Sequence, residues 1–161
     1  MTWLKQADLL RLGIIKMFDS ILVICTGNIC RSPIGERLLR LGLPKKKIES
    51  AGVGALVNHS ADSSAIKVAE KHGISLEGHL GTQFTSQLAR QYDLLLVMEH
   101  EHLVQVSRIA PEVRGKTMLF GHWLENNKDI PDPYRKSDEA FESVYQLIEQ
   151  ASKHWIAKLG G

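Results

Sequence analysis

One stretch decides the fold of this chain: Ser20-Ile21-Leu22-Val23-Ile24-Cys25-Thr26-Gly27-Asn28-Ile29-Cys30-Arg31-Ser32-Pro33. Its apolar start predicts a buried strand, and residues 34–41 that follow it have helical character. A strand that passes through a tight loop into a helix suits anion binding, because the free N–H groups of the helix point at the loop. This loop begins with a thiol, Cys25, and ends with a guanidinium, Arg31. The pairing predicts that sulfur attacks a phosphate ester here.

The residues between the thiol and the guanidinium agree with one loop geometry. Gly27 permits backbone angles that are closed to other residues, and Asn28 tolerates a left-handed conformation. Ser32 is predicted to cap the helix, with Pro33 at its first position. The Cys-x5-Arg spacing alone arises by chance too easily to identify a site, so its structural context matters. The alternative is that Cys25 is a small apolar side chain at the end of a buried strand.

The loop offers donors that suit both a thiolate and a phosphoryl group. The thiolate is the nucleophilic form of cysteine, and a helix N-terminus, a nearby Arg and converging backbone N–H groups all favour it. Arg31 can bind phosphoryl oxygens in a bidentate manner, which Lys cannot. The predicted phosphate-binding residues are Thr26, Gly27, Asn28, Ile29, Cys30 and Arg31.

The motif resembles the phosphate-binding loop of the low-molecular-weight protein tyrosine phosphatases. The resemblance implies that Cys25 is the nucleophile and that Arg31 grips the phosphate. It also implies that Ser32 stabilises the leaving thiolate, that Asn28 braces the loop, and that the imidazole of His79 supports it. No metal and no organic cofactor are implied, because the loop donors already neutralise the phosphoryl charge.

A second loop, Asp129-Ile130-Pro131-Asp132-Pro133-Tyr134-Arg135, is predicted to supply a general acid. Two prolines bracket Asp132 and keep the backbone stiff and non-helical, and a rigid loop with one carboxyl group suits proton donation. In the resembled family an Asp-Pro dipeptide at this point supplies the acid, which places the role on Asp132 and makes Tyr134 an aromatic wall of the pocket. Asp129 is the rival acid. A solvent-facing turn is the alternative interpretation of the whole loop.

The resemblance extends over residues 17–159 and is closest to the bacterial branch that acts on autophosphorylating tyrosine kinases of capsule and exopolysaccharide export. It implies that the partner is a phosphotyrosine protein, namely a bacterial tyrosine autokinase. Ser50-Ala51-Gly52 is one of the segments that carry it. One departure is the stretch Leu80-Gly81-Thr82-Gln83, because many relatives place an Arg shortly after the residue equivalent to His79. Leu56 is predicted to line the mouth of the pocket.

Cys30 has two interpretations. Curvature of the loop could bring it to Cys25, and a reversible disulfide would then protect the nucleophile from over-oxidation. The alternative is a packed cysteine without a redox role. The chain has two cysteines, both in this loop, which indicates neither structural disulfides nor a zinc site with paired thiolates. This usage fits a reducing compartment, and we predict a cytoplasmic protein.

Alternating elements predict the fold class. Strands are predicted at 20–25, 47–51, 93–98 and 116–120, and helices at 33–41, 61–72, 85–91, 99–107 and 138–159. This alternation predicts a single α/β domain, a four-stranded parallel sheet with helices on both faces. The strand order 2-1-3-4, of the phosphatase-I or flavodoxin-like type, is what the resemblance implies. Such sheets bind ligands beyond the carboxyl ends of their strands, where Cys25 falls.

The composition is that of an ordinary globular protein. The chain has 161 residues, 43% of them hydrophobic and 24% charged, and a net charge of +2, which does not indicate nucleic acid or a membrane surface as a partner. We predict a phosphatase domain at 17–161, preceded by an extension at 1–16 that reflects an upstream start or is disordered. This extension is too short and too charged for a signal peptide or a stable membrane insertion. The sequence does not fix the oligomeric state.

Two other functions share the motif. An arsenate reductase of the same architecture also uses Cys-x5-Arg, but it needs further redox cysteines outside the loop. A non-hydrolytic phosphocysteine carrier should lack an acid that drives departure of the leaving group, and Asp132 argues against it.

Overall fold

Parallel strand pairing organises the chain, which a computed structural model describes over residues 18–160. The elements follow in the order β1 (Ser20–Cys25), α1 (Arg31–Gly42), β2 (Lys47–Gly52), α2 (Ser63–Lys71), α3 (Ser86–Ala89), β3 (Leu94–Val97), α4 (His100–Ile109), a 3-10 helix (Pro111–Lys116), β4 (Thr117–Leu119) and α5 (Asp138–Leu159). The predicted alternation of strands and helices is confirmed. The predicted extension at 1–16 lies outside the described residues, and the division of the chain at residue 17 stays a prediction.

The strands form one four-stranded parallel sheet in the order β2-β1-β3-β4, as the resemblance implies. β1 lies in the interior of the sheet and pairs with β2 on one side and β3 on the other. Its last residue, Cys25, is in register with Gly52 at the end of β2. All four strands therefore end at the same edge, where the loops that follow β1 and β3 meet.

Helices cover both faces of the sheet, and the alternation of side chains along β1 shows it. Ile21 and Val23 belong to a core shared with α1, α2 and α5. Leu22 and Ile24 point the other way, into a core shared with α3, α4 and the 3-10 helix. Every residue of β1 is buried because both faces are covered, which explains its unbroken apolar run.

The helix after the loop begins earlier than predicted. It starts at Arg31, with Cys30 at the N-cap position, so the predictions of Ser32 as N-cap and Pro33 as first helical residue are wrong. The hydroxyl of Ser32 contacts the side chains of Cys25 and Asn28 instead of capping the helix. The free N–H groups of the first helical turn remain available to a ligand in the loop. The 3-10 helix was not predicted.

Within residues 18–160, no helix combines the length and the apolar character that crossing a bilayer requires.

Candidate active site

The sulfur of Cys25 lies where β1 ends and the loop begins. The backbone N–H of Asn28 donates to Sγ over 3.3 Å, and the Ser32 hydroxyl lies 3.0 Å from it. Gly52 permits this close packing of the loop on the sheet, because a Cβ at that position would collide with the carbonyl oxygen of Thr26. One backbone N–H of the loop and the Ser32 hydroxyl thus contact the sulfur.

Asn28 holds the loop in shape. Its φ of 59° is left-handed, as expected for Asn in a tight loop. The side-chain amide donates to the hydroxyls of Ser32 (2.7 Å) and Ser50 (3.0 Å), and its carbonyl oxygen accepts the backbone N–H of Thr82 over 2.8 Å. Asn28 is fully buried, so these bonds fix one orientation of the amide.

His79 supports the same residue from the other side. Its Nε2 lies 2.5 Å from the carbonyl oxygen of Asn28, so it must donate there. Burial, as the largest cause, lowers the pKa of His79, and a neutral ring can still provide this single N–H. The structure therefore brings His79 to the loop that the resemblance implies it supports.

The stretch that lacks the Arg of many relatives supports the loop by other means. Thr82 contributes its backbone N–H to Asn28, and its carbonyl oxygen accepts the N–H of Gly52. Gln83 accepts the N–H of Ala55 at 3.0 Å and donates to the carbonyl of Val53 at 2.9 Å. These bonds tie the segment after His79 to the loop after β2, which forms one side of the site.

Glu36 and Ser50 complete the support of the loop, and sequence reasoning missed both roles. The hydroxyl of Ser50 donates to the Glu36 carboxylate over 2.9 Å, and Arg37 neutralises that carboxylate at 2.9 Å. A carboxylate on α1 that is buried this deeply needs such partners. Its position five residues after Arg31 gave no signal, because the partner Ser50 comes from β2.

Arg31 is almost fully buried, with 1% of its side chain exposed, and it is held on two sides. Its Nη1 donates to the Glu99 carboxylate at 2.6 Å and to the carbonyl oxygen of Ile130 at 2.8 Å. Its Nη2 lies 3.4 Å from the Thr26 hydroxyl and 3.8 Å from Asp132 Oδ2. Glu99 was not predicted, although its place just after β3 is where a parallel sheet collects functional side chains.

The second loop presents Asp132 and engages Asp129 elsewhere. The N–H of Ile130 donates to the carbonyl oxygen of Met98 at 2.8 Å, which fastens the loop to the end of β3. Asp132 Oδ1 accepts the backbone N–H of Tyr134 at 3.0 Å, and Oδ2 faces Arg31. Asp129 instead accepts from the backbone and ring of His100 at the start of α4. Between the two candidate acids, the geometry favours Asp132.

His102 is a buried residue of the site that the sequence did not single out. Only 2% of it is exposed. Its Nδ1 accepts the backbone N–H of Glu99 at 3.1 Å, and its Nε2 lies 2.9 Å from the Thr26 hydroxyl. Burial, followed by the nearby Arg31 charge, lowers the pKa of His102 to about 4. The ring is therefore neutral at ordinary pH.

A cavity of about 230 Å³ brings together most of the predicted residues, but Asn28, one of the predicted phosphate-binding residues, is fully buried and is not part of its lining. Leu56 and Tyr134, the two predicted pocket walls, line it together with the loop and the second loop's carboxylate. The full lining is Cys25, Thr26, Gly27, Ile29, Cys30, Arg31, Gly54, Leu56, Asp132 and Tyr134. One cavity thus contains a cysteine sulfur, anion donors and a carboxyl group, an arrangement that suits phosphoryl transfer to and from sulfur.

Cys30 is a free, buried thiol in the same loop as Cys25. Burial is the largest of the causes that raise its pKa, so it stays protonated. A protonated thiol is a poor nucleophile. The proposed Cys25–Cys30 disulfide stays a prediction. Over residues 18–160, no three His, Cys, Asp or Glu side chains are grouped so that they could hold a metal ion.

Comparison with known proteins places the chain among phosphatases. The family model of the low molecular weight phosphotyrosine protein phosphatases matches residues 20–161. A putative low molecular weight protein-tyrosine-phosphatase of Klebsiella pneumoniae is 66% identical over 143 residues, which are 89% of this chain and 99% of that protein. The low molecular weight protein-tyrosine-phosphatase Etp of Escherichia coli K12 is 65% identical over 142 residues, 88% of this chain and 95% of its own. The crystal structure of the tyrosine phosphatase Wzb from Escherichia coli K30 in complex with sulphate has a TM-score of 0.88 and 79% identity, covering 89% of this chain and 100% of that one.

Proposed function

The chain belongs to the low molecular weight phosphotyrosine protein phosphatases and is a protein tyrosine phosphatase, and from this premise we propose that it acts through a cysteinyl-phosphate intermediate. One observation carries the proposal. Cys25 and Arg31, at the two ends of one loop, and Asp132, from a loop far along the chain, border the same cavity. A nucleophile, an oxyanion donor and a proton donor are thereby available to one bound phosphate ester.

In the first half of the reaction, the Cys25 thiolate attacks phosphorus and a sulfur–phosphorus bond forms. The bond from phosphorus to the tyrosyl oxygen breaks, and its electron pair leaves with that oxygen. Asp132 gives its proton to the same oxygen, so tyrosine departs as a neutral phenol. Protonation matters because a phenolate, with a pKa of about 10 for its conjugate acid, is a poor leaving group.

In the second half, water attacks phosphorus on the cysteinyl phosphate and Asp132 takes up its proton. The sulfur–phosphorus bond breaks, the electron pair returns to Cys25, and inorganic phosphate leaves. The Ser32 hydroxyl, 3.0 Å from the sulfur, donates to the departing thiolate. Each group has then regained its initial protonation state.

Arg31 and the loop N–H groups stabilise the phosphoryl oxygens throughout. The guanidinium is held by Glu99 and Ile130 before substrate binds, so no side-chain reorganisation is required. The sulphate bound to the relative from Escherichia coli K30 is a tetrahedral oxyanion like phosphate, and it supports an anion site in this family.

The alternatives are less well supported. An arsenate reductase needs redox cysteines outside the loop, and the whole chain has only Cys25 and Cys30. A phosphocysteine carrier has no use for Asp132 beside the loop. The relatives named above are phosphatases.

Trapping the intermediate tests the proposal. Enzyme mixed with a phosphotyrosine peptide and quenched in acid should carry one phosphoryl group, which peptide mapping by mass spectrometry should locate on Cys25. Cys25→Ser should release no phosphate, and Cys30→Ser is the matched control that should still form the adduct. Turnover by the Cys25→Ser variant would refute covalent catalysis by sulfur. Equal rates on phosphoserine and phosphotyrosine peptides would refute the preference for tyrosine.

The substrate is proposed on the resemblance to the exopolysaccharide branch. We propose that this phosphatase dephosphorylates a bacterial tyrosine autokinase that controls exopolysaccharide or capsule export, and that it does so in the cytoplasm. The autophosphorylated kinase should lose its phosphotyrosine when wild-type enzyme is added at catalytic amounts, and should keep it with Cys25→Ser. Hydrolysis of small aryl phosphates without any action on the kinase would contradict this assignment alone.

A further inference from the structure

His102 has a single possible tautomer in this structure. Its Nδ1 lies 3.1 Å from the backbone nitrogen of Glu99, and a backbone N–H can only donate. Nδ1 therefore carries no proton. The ring is neutral at ordinary pH because burial and Arg31 disfavour its charged form. The one ring proton must then be on Nε2, which faces Thr26.

This tautomer determines what the Thr26 hydroxyl can do. Nε2–H of His102 donates to Thr26 Oγ1 over 2.9 Å, and the second polar neighbour, Arg31 Nη2, is also a donor, at 3.4 Å. Among residues 18–160, neither polar neighbour of this hydroxyl can accept its proton. Thr26 lines the cavity above Cys25, so the proton is free to face a ligand there.

We propose that His102 is a positioning residue, which holds the Thr26 hydroxyl so that its proton points into the cavity and donates to an oxygen of the bound phosphoryl group. This inference rests on the proposed function, because it assumes that the loop holds a phosphoryl group. It adds a side-chain donor to the backbone N–H groups and Arg31. It also explains why a histidine is buried on α4 beside an arginine.

The size of the effect follows from the charge of the acceptor. A hydrogen bond to a charged oxygen contributes more than one between neutral groups, and its loss corresponds to about a tenfold weaker binding of the anion. Removing the Thr26 hydroxyl should therefore weaken phosphate binding about tenfold. Removing His102 should cost nearly the same, because the Thr26 hydroxyl then loses the hydrogen bond that fixes its oxygen, and its proton is no longer held towards the cavity.

Phosphate binding by the full chain tests the inference without requiring turnover. Thr26→Val removes the hydroxyl with little change of shape. His102→Asn removes the Nε2 donor but keeps an oxygen that can accept the Glu99 N–H. Thr26→Ser keeps the hydroxyl, and His154→Asn, at an exposed position on α5, is the control for loss of a histidine. The dissociation constant of inorganic phosphate is measured by calorimetry for each variant and for the double variant.

We expect about a tenfold rise in the dissociation constant for Thr26→Val and for His102→Asn, and no further rise in the double variant. His154→Asn should bind like wild type, and Thr26→Ser, which keeps the hydroxyl, should recover most of the affinity that Thr26→Val loses. Additive losses would show that His102 does not act through Thr26 and would overturn the inference. Wild-type affinity in Thr26→Val would overturn it whether or not His102→Asn folds.

The tautomer itself gives an independent readout. The ¹⁵N shifts of the His102 ring in the wild-type protein should be those of an Nε2–H tautomer, and a ring protonated at Nδ1 would overturn the inference. Failure of the proposed function would look different: wild-type enzyme would bind no phosphate, or Cys25→Ser would turn over. Wild-type binding with no effect of Thr26→Val refutes this inference alone.

Discussion

Replacing Glu99 with Gln should weaken folding and strengthen phosphate binding at once. Glu99 provides the negative charge next to Arg31, whose guanidinium is 1% exposed, at an N–O distance of 2.6 Å. Removing one partner of a fully buried ion pair costs about 3–5 kcal/mol. The Glu99 side chain is 30% exposed, so water recovers part of that cost. We therefore expect Glu99→Gln to lower the free energy of unfolding by about 1.5–3 kcal/mol, the range for a hydrogen bond to a charged group.

Urea unfolding with and without phosphate measures both effects. A loss of this size lowers the melting temperature of a domain of this length by about 3–12 °C. Phosphate should recover more stability in Glu99→Gln than in wild type, because the Arg31 charge is then no longer shared with a carboxylate and the ligand binds only the folded state.

Glu49→Gln is the matched control. Its carboxylate also pairs with an arginine, Arg40, at 3.0 Å, but both side chains are substantially exposed. Such surface pairs contribute about 0–1 kcal/mol, and phosphate should stabilise this variant as it does wild type. The reasoning is refuted if Glu99→Gln is as stable as Glu49→Gln, or if phosphate stabilises both equally.

Four further outcomes can be checked. Arg31→Lys should lower kcat/KM by about a hundredfold or more, because Lys cannot replace a bidentate oxyanion donor, and near-normal turnover would remove Arg31 from the mechanism. Asp132→Ala should hydrolyse phenyl phosphate about 10²–10⁴-fold more slowly than wild type, but the rate should fall much less with an aryl phosphate whose leaving group is already acidic. Equal falls in rate with the two substrates would contradict the role of Asp132 as general acid. Gly52→Ala should cost about 1–3 kcal/mol in chemical unfolding because its Cβ meets the Thr26 carbonyl, whereas Gly54→Ala, where the new Cβ meets open space, should be neutral. The free energy of unfolding should decline as the pH falls from 6.5 towards 4, because folding lowers the pKa of His102 from 6.5 to about 4 and the unfolded state therefore binds the proton first. Unfolding curves of His102→Asn should show a shallower decline with pH. A decline as steep as that of wild type would show that His102 is not its cause.

The sequence predicts those parts of the site that lie close together along the chain. From Cys25 to Pro33, the residue types agree with one conformation, so the turn from strand to helix can be inferred locally. The exact start of the helix cannot, because it depends on what the Ser32 hydroxyl contacts. Ser32 suits an N-cap in isolation, but the sulfur and Asn28 use its oxygen in the folded protein.

Groups from other strands are harder to predict. The two-residue spacing of His100 and His102 puts them on different sides of α4, and they are exposed and buried respectively. It cannot indicate that the buried one faces Thr26, since that depends on how β3 packs beside β1. Glu99 is the same case, because its partner Arg31 lies 68 positions away.

The carbonyl oxygen of Ile130 binds the guanidinium of Arg31, and the N–H of the same residue binds Met98. The segment that carries Asp132, the proposed proton donor, is thereby fixed to Arg31, the proposed anion donor. A substrate thus binds to a site that is already assembled, and no binding free energy is used to close a loop over it. A displacement of either segment would therefore move both Arg31 and Asp132.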